Sequence, residues 1–255
     1  MLFDTHAHYD FEQFNEDREA LISSLNENNI SLVLNVGSDM RGSYASVVLS
    51  KKYPFIYASV GVHPHSASEM TDNDLILLEK LSANEKVVAI GEIGLDYHYE
   101  HSPKDIQKKR FKDQLDLATK INKPVIIHCR EATEDCMNII RKSTAKGVFH
   151  CFSGSLEMAK QLIELGFYIS FTGVITFSNA KKFDEIIKWL PLEKIFIETD
   201  CPYLAPEPFR GKRNSSLYVY RVAEKIAQIK GITFEDVANI TKQNAMKFFN
   251  INKNW

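Results

Sequence analysis

Two histidines lie two residues apart near the start of the chain, in the segment FDTHAHYD at positions 3–10. Side chains of a β-strand alternate between its two faces, so His6 and His8 point to the same side if this segment is a strand. Two imidazoles placed in this way can bind one metal ion, but they can also be two polar residues at a strand end. The other polar residues of the chain have to distinguish these interpretations.

More histidines and carboxylates follow other short apolar runs of the chain. These residues are His63 and His65 in GVHPH, Glu92 and Asp96 in GEIGLD, His128 and Arg130 in IIHCR, His150 and Ser153 in FHCFSG, and Glu198 and Asp200 in IETDCPYL. A buried, unpaired carboxylate costs several kcal/mol, so Glu92 in the run VVAIGEIG needs a cation or strong donors. The same holds for Asp200 after KIFIET.

Short apolar runs alternate with longer amphipathic stretches along the whole chain. The candidate strands span 2–8, 31–37, 55–61, 86–94, 123–129, 146–152, 167–173 and 194–200. The candidate helices span 16–29, 71–84, 103–122, 131–144, 155–165, 180–190, 216–230 and 233–249. The strands are apolar through their middles, which is typical of a parallel sheet buried on both faces. The pattern predicts an α/β fold, a single (β/α)8 TIM barrel over residues 1–255, with an open doubly wound sheet as the alternative.

In such a barrel the carboxyl ends of the strands meet at one face, where active sites lie. Taken alone, each polar residue has a structural interpretation; His128 after PVII, for example, could be a core histidine. Together, however, four histidines and two carboxylates converge on one end of the predicted barrel. The sequence therefore predicts a metal site at this end of the barrel, to which Glu92 and Asp200 contribute carboxylates.

Composition excludes several broad classes of protein. The formal net charge of -2 provides no overall positive field that would attract the protein to DNA or to a membrane. The four cysteines form no CxxC pair, which favours a reducing compartment. No segment has the features of a signal peptide or a transmembrane helix. We therefore expect a cytoplasmic protein without membrane association.

The motifs HAHYD, GVHPH, GEIGLDY, HCR, HCFSG and ETDCPYL, followed by FRGKRN, resemble the successive motifs of the TatD family of metal-dependent nucleases. This family belongs to the amidohydrolase-like barrel enzymes. The resemblance extends from residue 3 to about residue 214, with the motifs in order. Each motif is short, but the ordered set is specific.

The resemblance implies a site for two divalent metal ions. His6, His8 and Asp200 would bind one ion, His128 and His150 the second, and Glu92 would bridge both. Mg²⁺ or Mn²⁺ suits the hard carboxylate ligands, while four imidazoles also allow Zn²⁺ or Co²⁺. The catalytic residues would be Glu92, Asp200 as general base, and His63 as an acid or a phosphate contact, although His63 could also cap a turn before Pro64.

Cationic and aromatic residues near the predicted site are candidates for substrate contacts. Arg130 shares a strand face with His128, and the segment PFRGKRN follows strand eight, where barrels often bind phosphate. We expect substrate contacts from Arg130, Arg210, Lys212 and Arg213, unless the segment is an ordinary solvated loop. Three aromatic residues could stack on bases or could simply pack: Tyr97, Phe152 and Tyr203.

The resemblance implies a hydrolase that cleaves DNA phosphodiesters, as a 3′–5′ exonuclease preferring single strands, with a role in DNA repair or turnover and no obligate protein partner. A second hypothesis keeps the site but changes the reaction to ester hydrolysis, as in a D-aminoacyl-tRNA deacylase. A third is a non-catalytic binding module, which would have no reason to keep Asp200 beside Glu92. The fold alone does not decide among them.

Overall fold

The computed structural model describes residues 1–252, which form a barrel of eight parallel strands. The strands β1 to β8 are Leu2–Ala7, Ile30–Val36, Ile56–Val60, Val87–Asp96, Val125–Arg130, Gly147–Phe149, Tyr168–Phe171 and Ile195–Ile197. Each strand pairs with the next one in the sequence. The segment after β8 closes the barrel against β1, where Ala7 and Cys201 form a parallel bridge and the His8 amide donates to the Cys201 carbonyl at 2.9 Å.

Helices separate the strands, as the (β/α)8 pattern requires, and the predicted fold class is confirmed. The α-helices α1 to α9 are Arg18–Ser24, Met40–Lys52, Asp72–Ser82, Lys104–Lys120, Thr133–Ile140, Leu156–Glu164, Lys182–Trp189, Val219–Lys230 and Phe234–Phe248. Short 3-10 helices span Glu12–Phe14, Asn26–Asn28, Pro64–Ser66, Gly173–Thr176, Leu192–Lys194 and Ser216–Tyr218. Within residues 1–252, no helix is both long enough and apolar enough to cross a bilayer.

Helix α2 is an element that the sequence pattern did not reveal. Its sequence, MRGSYASVVLSKK, contains glycine, serines and valines, which are weak helix formers. The Asp39 side chain caps the helix by accepting from the Gly42 amide at 2.6 Å. Ser43 and Ser46 are buried and hydrogen-bond the Gly61 carbonyl and the Asn35 side chain. Contacts with the barrel, rather than local propensity, therefore stabilise this helix.

Apolar side chains from all eight strands fill the amino-terminal part of the barrel interior. Residues of α9 and of the chain beyond it, among them Phe249, pack against these apolar side chains and belong to the same cluster. Side chains two positions further along the same strands face the same interior. Ile126, Val148 and Phe196 in the cluster are thus followed by polar residues that point inward at the opposite end of the barrel.

Candidate metal centre

The six predicted ligands converge at the carboxyl end of the barrel, and Glu92 of β4 lies at the centre. Its side chain is almost fully buried. On one side, Glu92 Oε2 lies 3.3 Å from His6 Nε2 and 3.8 Å from His8 Nε2. Asp200 completes this side, with its Oδ1 3.4 Å from His8 Nε2 and 3.7 Å from His6 Nε2. Two imidazoles and two carboxylates therefore surround one point.

The other carboxylate oxygen of Glu92 faces a second set of imidazoles. Oε1 lies 2.7 Å from His150 Nε2 and 3.0 Å from His128 Nδ1. His63 is also close, with its Nε2 3.4 Å from the same oxygen. The two oxygens of Glu92 thus point to different histidine groups, as a bridging carboxylate would. His6–His8–Glu92 and His63–Glu92–His128 each have ligand atoms close enough together to share one cation.

Hydrogen bonds on the outer side of His8 and His128 determine which ring nitrogen of each is left to face the centre. His8 Nδ1 lies 2.8 Å from the Val36 carbonyl, and His128 Nε2 lies 3.0 Å from Asp96 Oδ2. Both oxygens are acceptors, so these nitrogens carry protons in the neutral imidazoles. The other nitrogen of each ring then directs its lone pair towards Glu92, which suits a metal ligand.

Two buried carboxylates behind the histidines were noted as strand-end residues in the sequence but were assigned no role there. Asp96 orients His128, and its Oδ1 accepts the amides of His98 and Tyr99, each at 3.0 Å. Glu198 lies behind His150, with Oε1 3.4 Å from His150 Nδ1. A carboxylate hydrogen-bonded to a ligating histidine, as Asp96 is to His128, is common around protein metal sites. The sequence feature that could have revealed Asp96 and Glu198 was a second acidic residue at the end of a predicted strand that already supplied a ligand.

The charges of the site favour ionised carboxylates and cationic partners. Burial raises the pKa of Glu92, but the opposite charge of His150 and hydrogen bonds from His128 and His150 outweigh it and bring the pKa well below its usual value. The pKa of Asp200 is also lowered, because hydrogen bonding to His8 and nearby imidazoles outweigh burial. Burial lowers the pKa of His8, but Asp200 outweighs this and raises it to about 9. This buried set of anionic oxygens and imidazole nitrogens fits divalent cations.

His63 has a tautomer that differs from those of His8 and His128. Its Nδ1 accepts the amide of His65 at 3.1 Å, so Nε2 carries the proton in the neutral ring. Burial lowers the pKa of His63 well below its usual value, which keeps the ring neutral. His63 therefore presents an N–H group to the centre rather than a lone pair. This favours the predicted role as a proton donor or phosphate contact over a role as a metal ligand.

Gly94 shows why the motif GEIGLD needs its second glycine. Its φ of 142° is unfavourable for residues with a side chain, and a Cβ atom there would lie 1.9 Å from the carbonyl oxygen of His128. The close approach of β4 to β5 at this level therefore depends on the absence of a side chain. It fixes the separation between Glu92 and His128.

A cavity of about 710 Å³ opens above the centre and reaches solvent. Arg130 lines it, with the guanidinium 4.8 Å from the Tyr99 ring. Two of the three predicted aromatic contacts, Phe152 and Tyr203, also line the cavity. The third, Tyr97, is not among its lining residues and donates instead to Asp135 at 2.6 Å.

The loop after β8 places its three cations outside the lining of this cavity. Arg213 is engaged with Asp17, with nitrogen–oxygen distances of 2.9 and 2.5 Å, and it donates to the Gln13 carbonyl at 2.7 Å. Arg210 lies over the Phe177 ring at 4.3 Å. The Lys212 side chain is exposed. Of the four predicted substrate-contact cations, the structure brings only Arg130 to the cavity.

Comparison with known proteins agrees with this arrangement. Residues 3–250 match the family model described as TatD related DNase. The uncharacterized metal-dependent hydrolase YabD of Bacillus subtilis is 49% identical over 99% of this chain and 100% of its own length. A protein of Escherichia fergusonii named 3′-5′ ssDNA/RNA exonuclease TatD is 32% identical, over 98% of this chain and 99% of its own.

A solved structure leads to the same family. The crystal structure of YjjV, a TatD homologue from Escherichia coli K12, superposes with a TM-score of 0.92 at 29% identity, over 98% of both chains. The barrel and the full-length match to the family thus agree with the motifs recognised in the sequence. The chain belongs to the TatD family of metal-dependent hydrolases.

Proposed function

We propose that this protein hydrolyses phosphodiester bonds of DNA as a 3′–5′ exonuclease that prefers single strands. The observation that carries the proposal is the position of Glu92 between two groups of histidines, one on each carboxylate oxygen. Two divalent cations held in this way suit in-line displacement at phosphorus. The relative named as a 3′-5′ ssDNA/RNA exonuclease supports the choice of substrate.

We assign one cation to His6, His8, Glu92 and Asp200, and the other to Glu92, His128 and His150. Mg²⁺ and Mn²⁺ are our first choices, because carboxylate oxygens contribute to both positions, while the four imidazoles also suit Zn²⁺ or Co²⁺. When bound, the cations would polarise the phosphate and make water a stronger nucleophile.

Asp200 and His63 are the residues that we assign to proton transfer. Only 16% of the Asp200 side chain is exposed, but this side chain lines the cavity. Its lowered pKa keeps the carboxylate ionised, so it can accept a proton from the attacking water. The Nε2–H group of His63 faces the same space and can donate to a phosphate oxygen or to the leaving oxygen.

The walls of the cavity fit a nucleotide better than a small polar substrate. Its volume of about 710 Å³ lies within the usual range for ligand sites. Phe11 stacks on His8 with a centroid separation of 4.7 Å and contacts the half-exposed Tyr203 edge-on. These aromatic side chains offer a surface on which a base can stack. Arg130 lies on the opposite wall as the cationic contact for phosphate.

The cations of the loop after β8 remain secondary candidates. For Arg210 and Lys212 we keep a contact with a longer strand that leaves the cavity. Arg213 can do so only if it gives up its ion pair with Asp17. A cytoplasmic location and a role in DNA repair or turnover belong to the same proposal, and neither is needed for the chemistry.

The direct test is hydrolysis of a 5′-labelled single-stranded DNA by metal-free protein to which Mg²⁺ or Mn²⁺ is returned. We expect stepwise loss of nucleotides from the 3′ end, dependent on metal and abolished in Glu92→Ala. An aminoacyl-ester substrate is assayed in parallel. Hydrolysis of that ester without cleavage of DNA would refute the nuclease proposal and support the deacylase alternative. Parallel assays with single-stranded RNA and double-stranded DNA establish the preference among nucleic acids.

A further inference from the structure

A second, smaller cavity of about 390 Å³ lies beside the main one. It is bounded by the end of β5, the loop after β6 and the first residue of α7. The two cavities share lining residues, including Arg130 and His150. His150 Nε2 lies 2.7 Å from Glu92, so the side cavity begins next to the proposed position of the second cation.

Two cations line this side cavity, and neither forms an ion pair with a carboxylate anywhere in residues 1–252. Arg130 is half-buried and contacts the Tyr99 ring. Lys182 is exposed at the start of α7, and its Nζ donates to the Ser153 carbonyl at 2.8 Å. That bond uses one of the three donors of the ammonium group and holds it at the cavity.

The other polar lining groups do not neutralise these cations. The only carboxylate that lines the side cavity, within residues 1–252, is Glu131, and its Oε1 is paired with His98 Nδ1 at 2.7 Å. Hydroxyl groups of Thr133 and Ser153 also line the cavity and can donate to an anion. Two cations with free donors and two hydroxyls form a site suited to a phosphate group.

We propose that this side cavity binds a second phosphate of the substrate strand, the one immediately 5′ to the phosphate that is cleaved. Arg130 and Lys182 are its cationic contacts. This inference rests on the proposed phosphodiester hydrolysis. An enzyme that removes nucleotides from a 3′ end has the rest of the strand on the 5′ side of the scissile bond, so the neighbouring phosphate has to leave the metal centre in that direction. Lys182 then contributes to substrate selection without contacting the reacting atoms.

The test uses two substrates that differ in one phosphate: a thymidine dinucleotide with a single internal phosphodiester, and the same dinucleotide with a 5′-phosphate. We expect the wild-type protein to cleave the phosphorylated form with a kcat/KM about tenfold higher, equivalent to about 1.4 kcal/mol. The preference should largely disappear in Lys182→Ala. The matched control is Lys188→Ala, which removes the same charge from the exposed far end of α7 and should keep the preference.

A second measurement uses a longer single-stranded oligonucleotide and the dependence of its KM on salt. Loss of one phosphate contact should reduce the slope of log KM against log salt by about 0.7 in Lys182→Ala and leave it unchanged in Lys188→Ala. A purely structural role of Lys182 would not change this slope. Thermal denaturation verifies that both variants are folded.

The possible failures can be told apart. If the wild-type protein cleaves both dinucleotides equally well, or if Lys182→Ala keeps both the preference and the salt slope, the second phosphate site is refuted and the nuclease proposal stands. If the wild-type protein cleaves no phosphodiester but hydrolyses the aminoacyl ester, both proposals are refuted.

Discussion

Glu92→Gln is the substitution that tests the metal centre most directly. Glutamine has nearly the same size as glutamate but carries no charge, and one of its two terminal atoms is an NH₂ group that cannot bind a cation. Because the oxygens of Glu92 face opposite histidine groups, the NH₂ group must point to one of them in either orientation. One cation position therefore loses a ligand, and both lose the negative charge.

The expected effect on metal binding follows from these contacts. A buried charge that loses its partner costs about 3–5 kcal/mol, and each 1.4 kcal/mol is a factor of about ten in affinity. We expect the Kd for Mn²⁺, measured by isothermal titration calorimetry, to rise at least about a hundredfold. In the metal-free protein the buried imidazoles lose their counter-charge, so the midpoint of thermal unfolding should fall by about 10 °C.

The control for Glu92→Gln is Glu69→Gln, the same chemical change at an exposed position. It should alter neither the Mn²⁺ affinity nor the unfolding midpoint. A folded Glu92→Gln protein that binds Mn²⁺ within threefold of the wild-type affinity would refute the assignment of Glu92 as the bridging ligand.

Three further predictions concern the surroundings of the ligands. Asp96→Asn keeps the acceptor for the two backbone amides but removes the carboxylate behind His128, so Mn²⁺ affinity should fall about 10- to 100-fold by calorimetry; an unchanged affinity would show that Asp96 does not orient the ligand. Gly94→Ala places a Cβ against the His128 carbonyl at positive φ and should lower the free energy of unfolding, measured with urea, by more than about 3 kcal/mol; near-wild-type stability would contradict the close approach. In the metal-free protein the pKa of His8 is raised to about 9, so below that pH a proton competes with the metal. Mn²⁺ affinity should therefore rise with pH, by up to about a hundredfold from pH 7 to 9, with proton release detectable in buffers of different ionisation enthalpy; a flat profile would argue against His8 as a ligand.

The fold could be predicted from the sequence because the barrel strands are apolar throughout and end in polar residues. The exception was α2, whose glycine and serines disfavour a helix in isolation. Its buried serines find hydrogen-bond partners only after the strands have assembled. A pattern read along the chain contains no information about such partners.

The substrate-contact residues illustrate a different limit. Arg130 could be placed near His128 because both lie on one face of the same strand. The three cations in PFRGKRN belong to a loop, whose path is set by contacts with distant segments. Arg213, for example, pairs with Asp17, which is far away in sequence. Their distance from the cavity could not be deduced from the order of the residues.

The sequence by itself determined the barrel and which residue types meet at its carboxyl end, since strand alternation places His6 and His8, and likewise His128 and Arg130, on common faces. Only the tertiary structure decided which hydrogen bonds and surfaces surround these residues. The tautomer of His63, the alignment of His128 by Asp96, and the side cavity at Lys182 depend on hydrogen bonds and surfaces between separate βα units. Such contacts form when the barrel closes, so periodicity within a single strand or helix cannot reveal them.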